Sequence, residues 1–315
     1  MTTQVYISGS IAYDTIMVFA GHFKDHILPD QVHNINVSFF APSMRKEYGG
    51  CAANIAYTLN ALGGNAVVLA AIGKEGAEYV DHMRSAGVDV SRLHHSTDEY
   101  TAQAFITTDL SNNQITAFHP GAMVQAHHSH APENLPQGTK ALGIIAPNGR
   151  DAMVSHAAEF KAAGIPFIFD PGQAMPLFSG DDFKAFIAQA WAITLNDYES
   201  ALLCERTGWT EPEIASKVSA MIVTRGSEGC TVYENGVSTQ VPVVAISEAK
   251  DPTGCGDAFR GGLLYGLSNG WSWADSARLG SVMGGIKIEQ QGGQNHTATQ
   301  HGVQPRLEKA FGLKF

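Results

Sequence analysis

The feature that most constrains this chain is a series of short, almost uninterrupted apolar segments, each followed by a longer stretch with helical periodicity. The apolar segments are Val5–Ser8, Ala66–Ala71, Ala141–Ala146, Pro166–Asp170, Ala190–Leu195 and Met221–Thr224. A strand with one wet face alternates apolar and polar residues, whereas a strand covered on both faces does not. Helical patterns lie between them near Ala52–Leu62, Ala77–Ala86, Asp151–Ala163, Asp182–Gln189 and Tyr198–Thr207. Two more, near Gly256–Ser268 and Trp273–Glu289, close the chain and are rich in Gly and Ala, as tight helix–sheet packing requires. Buried strands joined by helices predict an α/β fold, a mostly parallel sheet flanked by helices on both faces.

Two segments break this rhythm. Ile16–Tyr48 and Tyr100–Phe118 carry short alternating patterns, at Asn34–Phe39, Gln103–Thr107 and Gln114–Phe118. They predict either a small sheet outside the main layer, able to act as a lid that excludes water, or a plain pair of surface hairpins. On the first reading, residues 1–15, 49–99 and 121–315 form a large domain, and residues 16–48 and 100–120 form the lid. Ala126–Lys140 reads as a surface loop.

Composition excludes several functions. The net charge of −10 and the scattered basic residues speak against nucleic acid, which binds through clustered Lys and Arg. Cys51, Cys204, Cys230 and Cys255 form no CxxC pair, so neither a zinc site nor a disulfide framework is expected. No apolar stretch reaches the roughly 20 residues of a membrane span, and the N-terminus lacks a signal pattern, so a cytoplasmic location is expected. His127, His128 and His130, and the His94–His95 pair, lack a nearby Cys or carboxylate and read as solvated.

The sharpest motif is Asp251-Pro252-Thr253-Gly254-Cys255-Gly256-Asp257-Ala258-Phe259, followed by Arg260-Gly261-Gly262. Glycines on either side of one small residue allow a tight turn that aims peptide N–H groups at a single point, at the positive end of a helix. Such a turn can hold charge developing on a transferred phosphoryl group, and Asp257 can take the proton of an attacking hydroxyl. The alternative makes Asp257 an ordinary helix-capping residue. A second motif, Gly49-Gly50-Cys51-Ala52-Ala53-Asn54, permits close approach of a ligand to the backbone, with Asn54 offering donor and acceptor to hydroxyls; it equally permits tight helix packing.

Together, Gly49-Gly50-x-x-x-Asn54 and Asp251-x-Thr253-Gly254-x-Gly256-Asp257 resemble the two signatures of the ribokinase (PfkB-type) carbohydrate and nucleoside kinases. Asp14, after Gly9 and the first strand, stands where the family binds substrate hydroxyls. Asn196-Asp197-Tyr198-Glu199 is similar to its Asn-x-x-Glu element, and Thr224-Arg225-Gly226-Ser227-Glu228-Gly229 to its Thr-x-Gly nucleotide turn. The resemblance implies a doubly wound sheet with a β lid, MgATP as donor and a primary alcohol as acceptor. It implies Asp257 as general base, the amides of Gly254, Cys255 and Gly256 as anion hole, and Asn196 and Glu199 as organisers of magnesium, largely through water. Thr224, Gly226, Gly229 and Thr253 would serve the nucleotide. Asp251 and Thr253 match positions that in some members help bind a monovalent cation, potassium. Lid strands of this family sometimes pair between two subunits, which implies a homodimer. The absence of GxxxxGK[ST] fits a phosphate site without a P-loop.

The departures bear on substrate. Cys255 replaces the usual alanine, and a thiol at a helix start is expected to have a lowered pKa, so that alkylation there blocks activity unless ATP protects it. Cys51 stands where ribokinases carry Lys, and Ala146-Pro147-Asn148 lacks their acidic residue, which makes free ribose a poorer substrate. The segment Ser111–Met123 and the ending Gln291-Gly292-Gly293-Gln294-Asn295-His296 resemble bacterial adenosine-kinase-like members. Phe105 and Phe118 could stack on a base, or merely pack the lid. The reading that results is a kinase of the 5′-hydroxymethyl group of a nucleoside, adenosine first, giving AMP. A sugar kinase for fructose or ribose, and a silent nucleoside-binding homologue, are the alternatives.

Overall fold

The computed structural model describes residues 3–27, 36–111, 113–297 and 299–315. The chain begins with strands β1 (Gln4–Ser8), β2 (Ala12–Val18) and β3 (Ser43–Gly49), then helix α1 (Cys51–Ala61). Strands β4 (Ala66–Leu69) and β5 (Ala71–Ile72) lead to helix α2 (Ala77–Ser85), followed by β6 (His94–His95), β7 (Ala102–Thr108) and β8 (Gln114–His119). The α/β run continues as β9 (Ala141–Ile145), α3 (Arg150–Ala162), β10 (Phe167–Phe169), α4 (Gly180–Ile187), β11 (Ala192–Asn196), α5 (Asp197–Thr207), α6 (Glu211–Ala215) and β12 (Ala220–Thr224). A hairpin, β13 (Cys230–Glu234) and β14 (Val237–Val241), precedes helices α7 (Cys255–Ser268), α8 (Trp273–Ile288) and α9 (Gln300–Phe311).

Among the described residues the main sheet has the order β14-β13-β12-β11-β10-β9-β1-β4. Strands β4 to β12 of that row are parallel, and the hairpin β13–β14 adds an antiparallel edge. Every apolar segment singled out in the sequence supplies a strand of this sheet, and the reason is visible in β1. Val5 and Ile7 face a core cluster with Leu59, Leu263 and Val282, whereas Tyr6 between them faces a second cluster with Phe160 and Phe167. A strand with a core on each side has no wet face to mark with polar residues.

The hairpin was not expected, although its turn is strongly signalled. Asn235 (φ 52°) and Gly236 (φ 76°) both adopt the left-handed conformation that a two-residue hairpin turn demands. The expected segment Ala66–Ala71 divides, because β5 leaves the main sheet to pair with β6. Helix α9 was also missed. Within Ala126–Lys140, residues up to His128 belong to a 3-10 stretch, Gly121–His128.

A second sheet, ordered β3-β2-β7-β8, stands beside the main one. It takes in β7 and β8 at the expected positions, but its strands begin at Ala12 and extend to Gly49, past the limits of residues 16–48. Of the expected Asn34–Phe39 strand, residues 34 and 35 lie outside the described residues, and residues 36–39 are irregular. The partner of β2 is instead the polar segment Ser43–Gly49, an edge strand protected by charge rather than alternation.

Helices α7 and α8 pack unusually closely. A Cβ on Gly262 would stand 2.9 Å from Met283 Cγ and 3.0 Å from the Gly280 backbone. Gly262→Ala is expected to lower stability by about 1–3 kcal/mol despite the better helix propensity of Ala. The check is the denaturant midpoint at constant m-value; an unmoved midpoint would show that the two helices can part freely.

Candidate active site

The site forms where parallel strands end, the place at which an open α/β sheet leaves a crevice. Ser10 follows β1, Asn148 follows β9, Asp170 follows β10, and Asn196 and Thr224 end β11 and β12. Two adjoining cavities occupy this edge. The first, of 620 Å³, lies between the strand ends and the second sheet, lined by Ser10, Asp14, Asn54, Ala104, Phe118 and Asn148 among others. The second, of 480 Å³, is lined by Asp170, Asn196, Glu199, Thr224, Gly226, Gly256 and Arg260. Cys51, Pro147, Gln173, Gly254 and Asp257 line both. Asp257 therefore sits at the junction.

Local sequence explains how Asp257 arrives there. Gly254 caps α7 in the left-handed conformation (φ 78°), which turns the chain sharply into the helix, and Asp257 falls in its first turn. One expectation for this turn needs correcting. The Cys255 N–H is bonded to the Pro252 carbonyl at 3.1 Å, so it is not a free anion donor. The N–H groups of Gly254, Gly256 and Asp257 have no such partner, as expected at a helix start.

Asn54 Nδ2 donates to Asp257 Oδ2 at 2.9 Å. Its own amide oxygen accepts from Gln294 Nε2 at 3.0 Å, and Gln294 also donates to Tyr79 Oη at 2.7 Å. Tyr79 in turn donates to the Gly49 carbonyl. Burial pushes Asp257 up to about 6, against the opposing pull of Asn54 and Arg260. Asp14 is likewise pushed up to about 6, by burial first and by the charges of Asp257, Asp251 and Glu47. Gly49 and Gly50 are required sterically. A Cβ at Gly49 would lie 2.5 Å from Asp14 Oδ2, and one at Gly50 (φ 89°) would lie 2.6 Å from the Ser10 carbonyl oxygen.

Asn196 and Glu199 form a reciprocal cap of α5, each side chain accepting from the other's N–H at 2.8 Å. Burial and the nearby Asp170 raise Glu199. One carboxylate oxygen of Glu199 accepts no hydrogen bond from the protein, so the pair leaves an acceptor for hydrated magnesium. Among the described residues no group of three His, Cys, Asp or Glu could hold a metal ion by itself. No described helix is long and apolar enough to cross a membrane.

Several expected residues fall elsewhere. Phe118 lines the first cavity, but Phe105 does not: it adjoins Ala104 on β7, and strand alternation sends it to the other face. Gly229 does not line the second cavity; its positive φ serves the turn into β13, where a Cβ would meet the Val241 carbonyl at 2.1 Å. The Cys255 thiol is pushed up to about 11 by burial, not lowered, and lies 3.8 Å from the Asp251 carbonyl. The helix start is outweighed by loss of solvent. Thr253 lines the first cavity, and its N–H donates to Asp251 Oδ1 at 2.9 Å.

The potassium expectation also meets an obstacle. Asp251 Oδ2 accepts from the Gly292 N–H at 2.9 Å, and the Asp251 and Gln290 carbonyls both accept from Lys287 Nζ at 3.0 Å. The two carbonyls already face an ammonium, whose charge opposes a second cation beside them.

Sequence reasoning passed over three further groups. Asp170 and Arg260 form a buried bidentate pair, with Arg260 Nη1 also bonded to the Gly256 carbonyl at 3.1 Å. Asn148 is 2% exposed, its oxygen accepts from the Gly149 N–H, and its Nδ2 is buried with no protein partner. Lys287 was unmarked apart from being a lone charge between Ile286 and Ile288.

A mostly parallel sheet covered by helices, with an accessory four-stranded sheet over the strand ends, defines a ribokinase-like α/β protein. The pfkB family carbohydrate kinase model matches residues 12–300, and the chain belongs to that family; it is a kinase. A nucleoside kinase of Methanocaldococcus jannaschii is 30% identical over 293 residues, covering 90% of this chain and 95% of that protein. The structure of Burkholderia thailandensis nucleoside kinase in complex with inosine has a TM-score of 0.87 at 49% identity, covering 98% of this chain and 99% of the other. The same enzyme in complex with ADP-inosine has a TM-score of 0.85 at 51% identity, covering 98% and 97%.

The Cys255 geometry gives a direct check. Iodoacetamide at neutral pH is expected to leave Cys255 unlabelled in the native protein, and Cys255→Ala to keep kcat within about twofold of wild type. Peptide mapping and initial rates measure both, and rapid labelling with loss of activity would reinstate a reactive thiolate.

Proposed function

We propose that this kinase transfers the γ-phosphoryl group of MgATP to the 5′-hydroxymethyl group of a nucleoside, with adenosine the expected acceptor and AMP the product. The observation that carries the reading is the position of Asp257 at the junction of two cavities, beside unpaired N–H groups of a helix start. The acceptor occupies the first cavity, with Asp14 and Asn54 toward its ribose hydroxyls. The nucleotide lies in the second, along Thr224 and Gly226. Asp257 takes the hydroxyl proton as that oxygen bonds to the γ-phosphorus and ADP leaves. The N–H groups of Gly254, Gly256 and Asp257 stabilise the charge on the transferring oxygens. Asn196 and Glu199 would hold hydrated magnesium, which neutralises phosphate charge.

The first cavity supports a nucleoside over a free sugar. Its volume of 620 Å³ and its apolar wall of Ala104, Phe118, Met123 and Leu177 suit a heterocycle as well as a ribose. Asn148 lines the same cavity and adds a polar amide to that wall, beside Ser10 and Asp14. The second sheet acts as the lid over this cavity. Its outer face carries Met44, Phe105 and Ile115, all exposed, and these support pairing of two copies of a cytoplasmic enzyme.

Asp257→Asn is expected to cut kcat by about 10²–10⁴. Because Asp257 titrates near 6 and must be ionised to act, wild-type kcat/KM should fall as pH drops through about 6 and level off above it. A carboxylate raised above its unfolded value makes ionised protein less stable as pH rises through that window, so Asp257→Asn should melt no lower than wild type at pH above 7. A variant that keeps wild-type turnover would remove Asp257 as base. Wild type that binds nucleoside but consumes no ATP would instead leave a binding protein.

Asn148→Ala is expected to raise the nucleoside KM by about tenfold with little change in kcat, the mark of lost uniform binding. Competition with fructose and ribose completes the test, since efficient phosphorylation of either with adenosine inert would favour a sugar kinase.

A further inference from the structure

Lys287 sits in the last turn of α8 and is fully buried, 0% exposed, in a molecule whose other lysines reach solvent or lie part-exposed. An ammonium so placed is strongly destabilising unless its donors are met. Two of its three donors are met, both by backbone, the carbonyls of Asp251 and Gln290, each at 3.0 Å. These carbonyls come from two loops that converge behind the start of α7. The first loop is anchored by N–H donation from Lys250 and Asp251 to the Ile288 carbonyl, and the second by Gly292 N–H to Asp251 Oδ2. The Gly254 turn rests on both: a Cβ there would lie 3.3 Å from Gly293 Cα and 3.7 Å from Lys287 Cε.

Two carbonyl oxygens and the half-buried Asp251 carboxylate on the same loop give this place a negative potential that favours a cation. Here the chain supplies it. We propose that the Lys287 ammonium is the resident cation of the phosphoryl-transfer turn, holding the 251–254 and 290–293 loops in register in place of a monovalent metal ion. It acts as a positioning residue: it touches neither cavity, and it sets the Gly254 N–H and Asp257 through the loop carbonyls. Because the cation is tethered to α8, its ordering cost is met on folding rather than by ion binding at each assembly of the site. The enzyme then works without potassium or sodium. This inference rests on the kinase reading of the site.

The test compares wild type and Lys287→Met, of similar length and no charge, in MgATP free of alkali metals, with about 100 mM potassium chloride or choline chloride at matched ionic strength. Choline is too large to enter a carbonyl cage. Wild-type rates are expected to agree within about threefold between the salts, and the melting temperature to be unchanged, since an ion that binds only the folded state would raise it. Lys287→Met is expected to lose about tenfold or more in choline, to regain activity in potassium, and to acquire a potassium-dependent rise in melting temperature.

Stimulation of wild type by potassium beyond about threefold would overturn the proposal, since a removable ion would then be doing the work. So would a Lys287→Met variant equal to wild type in both salts, or one whose loss no potassium repairs, which would make Lys287 a packing residue. If the variant does not fold, the wild-type comparison decides alone. Absence of phosphoryl transfer by wild type in either salt would instead count against the kinase reading, while the two melting temperatures still report on the cation.

Discussion

One amide holds the chemistry together. Asn54 lies on α1, Asp257 on α7, 203 residues further along the chain, and the 2.9 Å hydrogen bond between them is where the two glycine motifs meet. The bond is directional because Asn54 is itself fixed from behind by Gln294, which is fixed by Tyr79, which is anchored on the Gly49 carbonyl. Burial of the Asp257 carboxylate outweighs the Asn54 donor and the Arg260 charge, and its proton affinity rises accordingly. That imbalance is a local loss of stability and at the same time brings Asp257 into the range where a base can both accept and release a proton near neutrality.

The residues around this bond divide the work by loop. Ser10 and Asn148, after β1 and β9, face the first cavity; Asn196 and Thr224, at the ends of β11 and β12, face the second; Gln173, after β10, lines both. The helix start at Gly254 belongs to neither sheet edge but lies across both. The buried Asp170–Arg260 pair fixes α7 from the opposite side, with Arg260 reaching back to the Gly256 carbonyl. The first turn of α7 is thus gripped by a neutral hydrogen bond on one side and an ion pair on the other.

The sequence made the main sheet plain because its strands are covered twice, and a strand such as Ala141–Ile145 therefore reads as an apolar run. It made the glycine motifs plain because steric demand at Gly49, Gly50 and Gly254 excludes other residues. The polar strand Ser43–Gly49 was hidden for the converse reason, since an exposed edge is written in charge and looks like a loop. The hairpin β13–β14 was legible in Asn235-Gly236 and was simply passed over. Asn148, Lys287 and Gln294 were beyond reach: a single polar residue does not announce that it will be buried, and what each one does depends on partners distant in the chain. Cys255 shows the opposite hazard, where a valid local rule about helix starts is overruled by burial that only the tertiary structure supplies.

The arrangement of strand ends has an evolutionary consequence. The loop after β9 carries Asn148 to the first cavity, whereas the start of α7 is held by Asn54, Asp170 and Lys287, none of which belongs to that loop. On the proposed reading, acceptor preference can drift while the phosphoryl-handling corner stays constant, so paralogues built on this scaffold should diverge first around Asn148 and the accessory sheet, and last around Gly254.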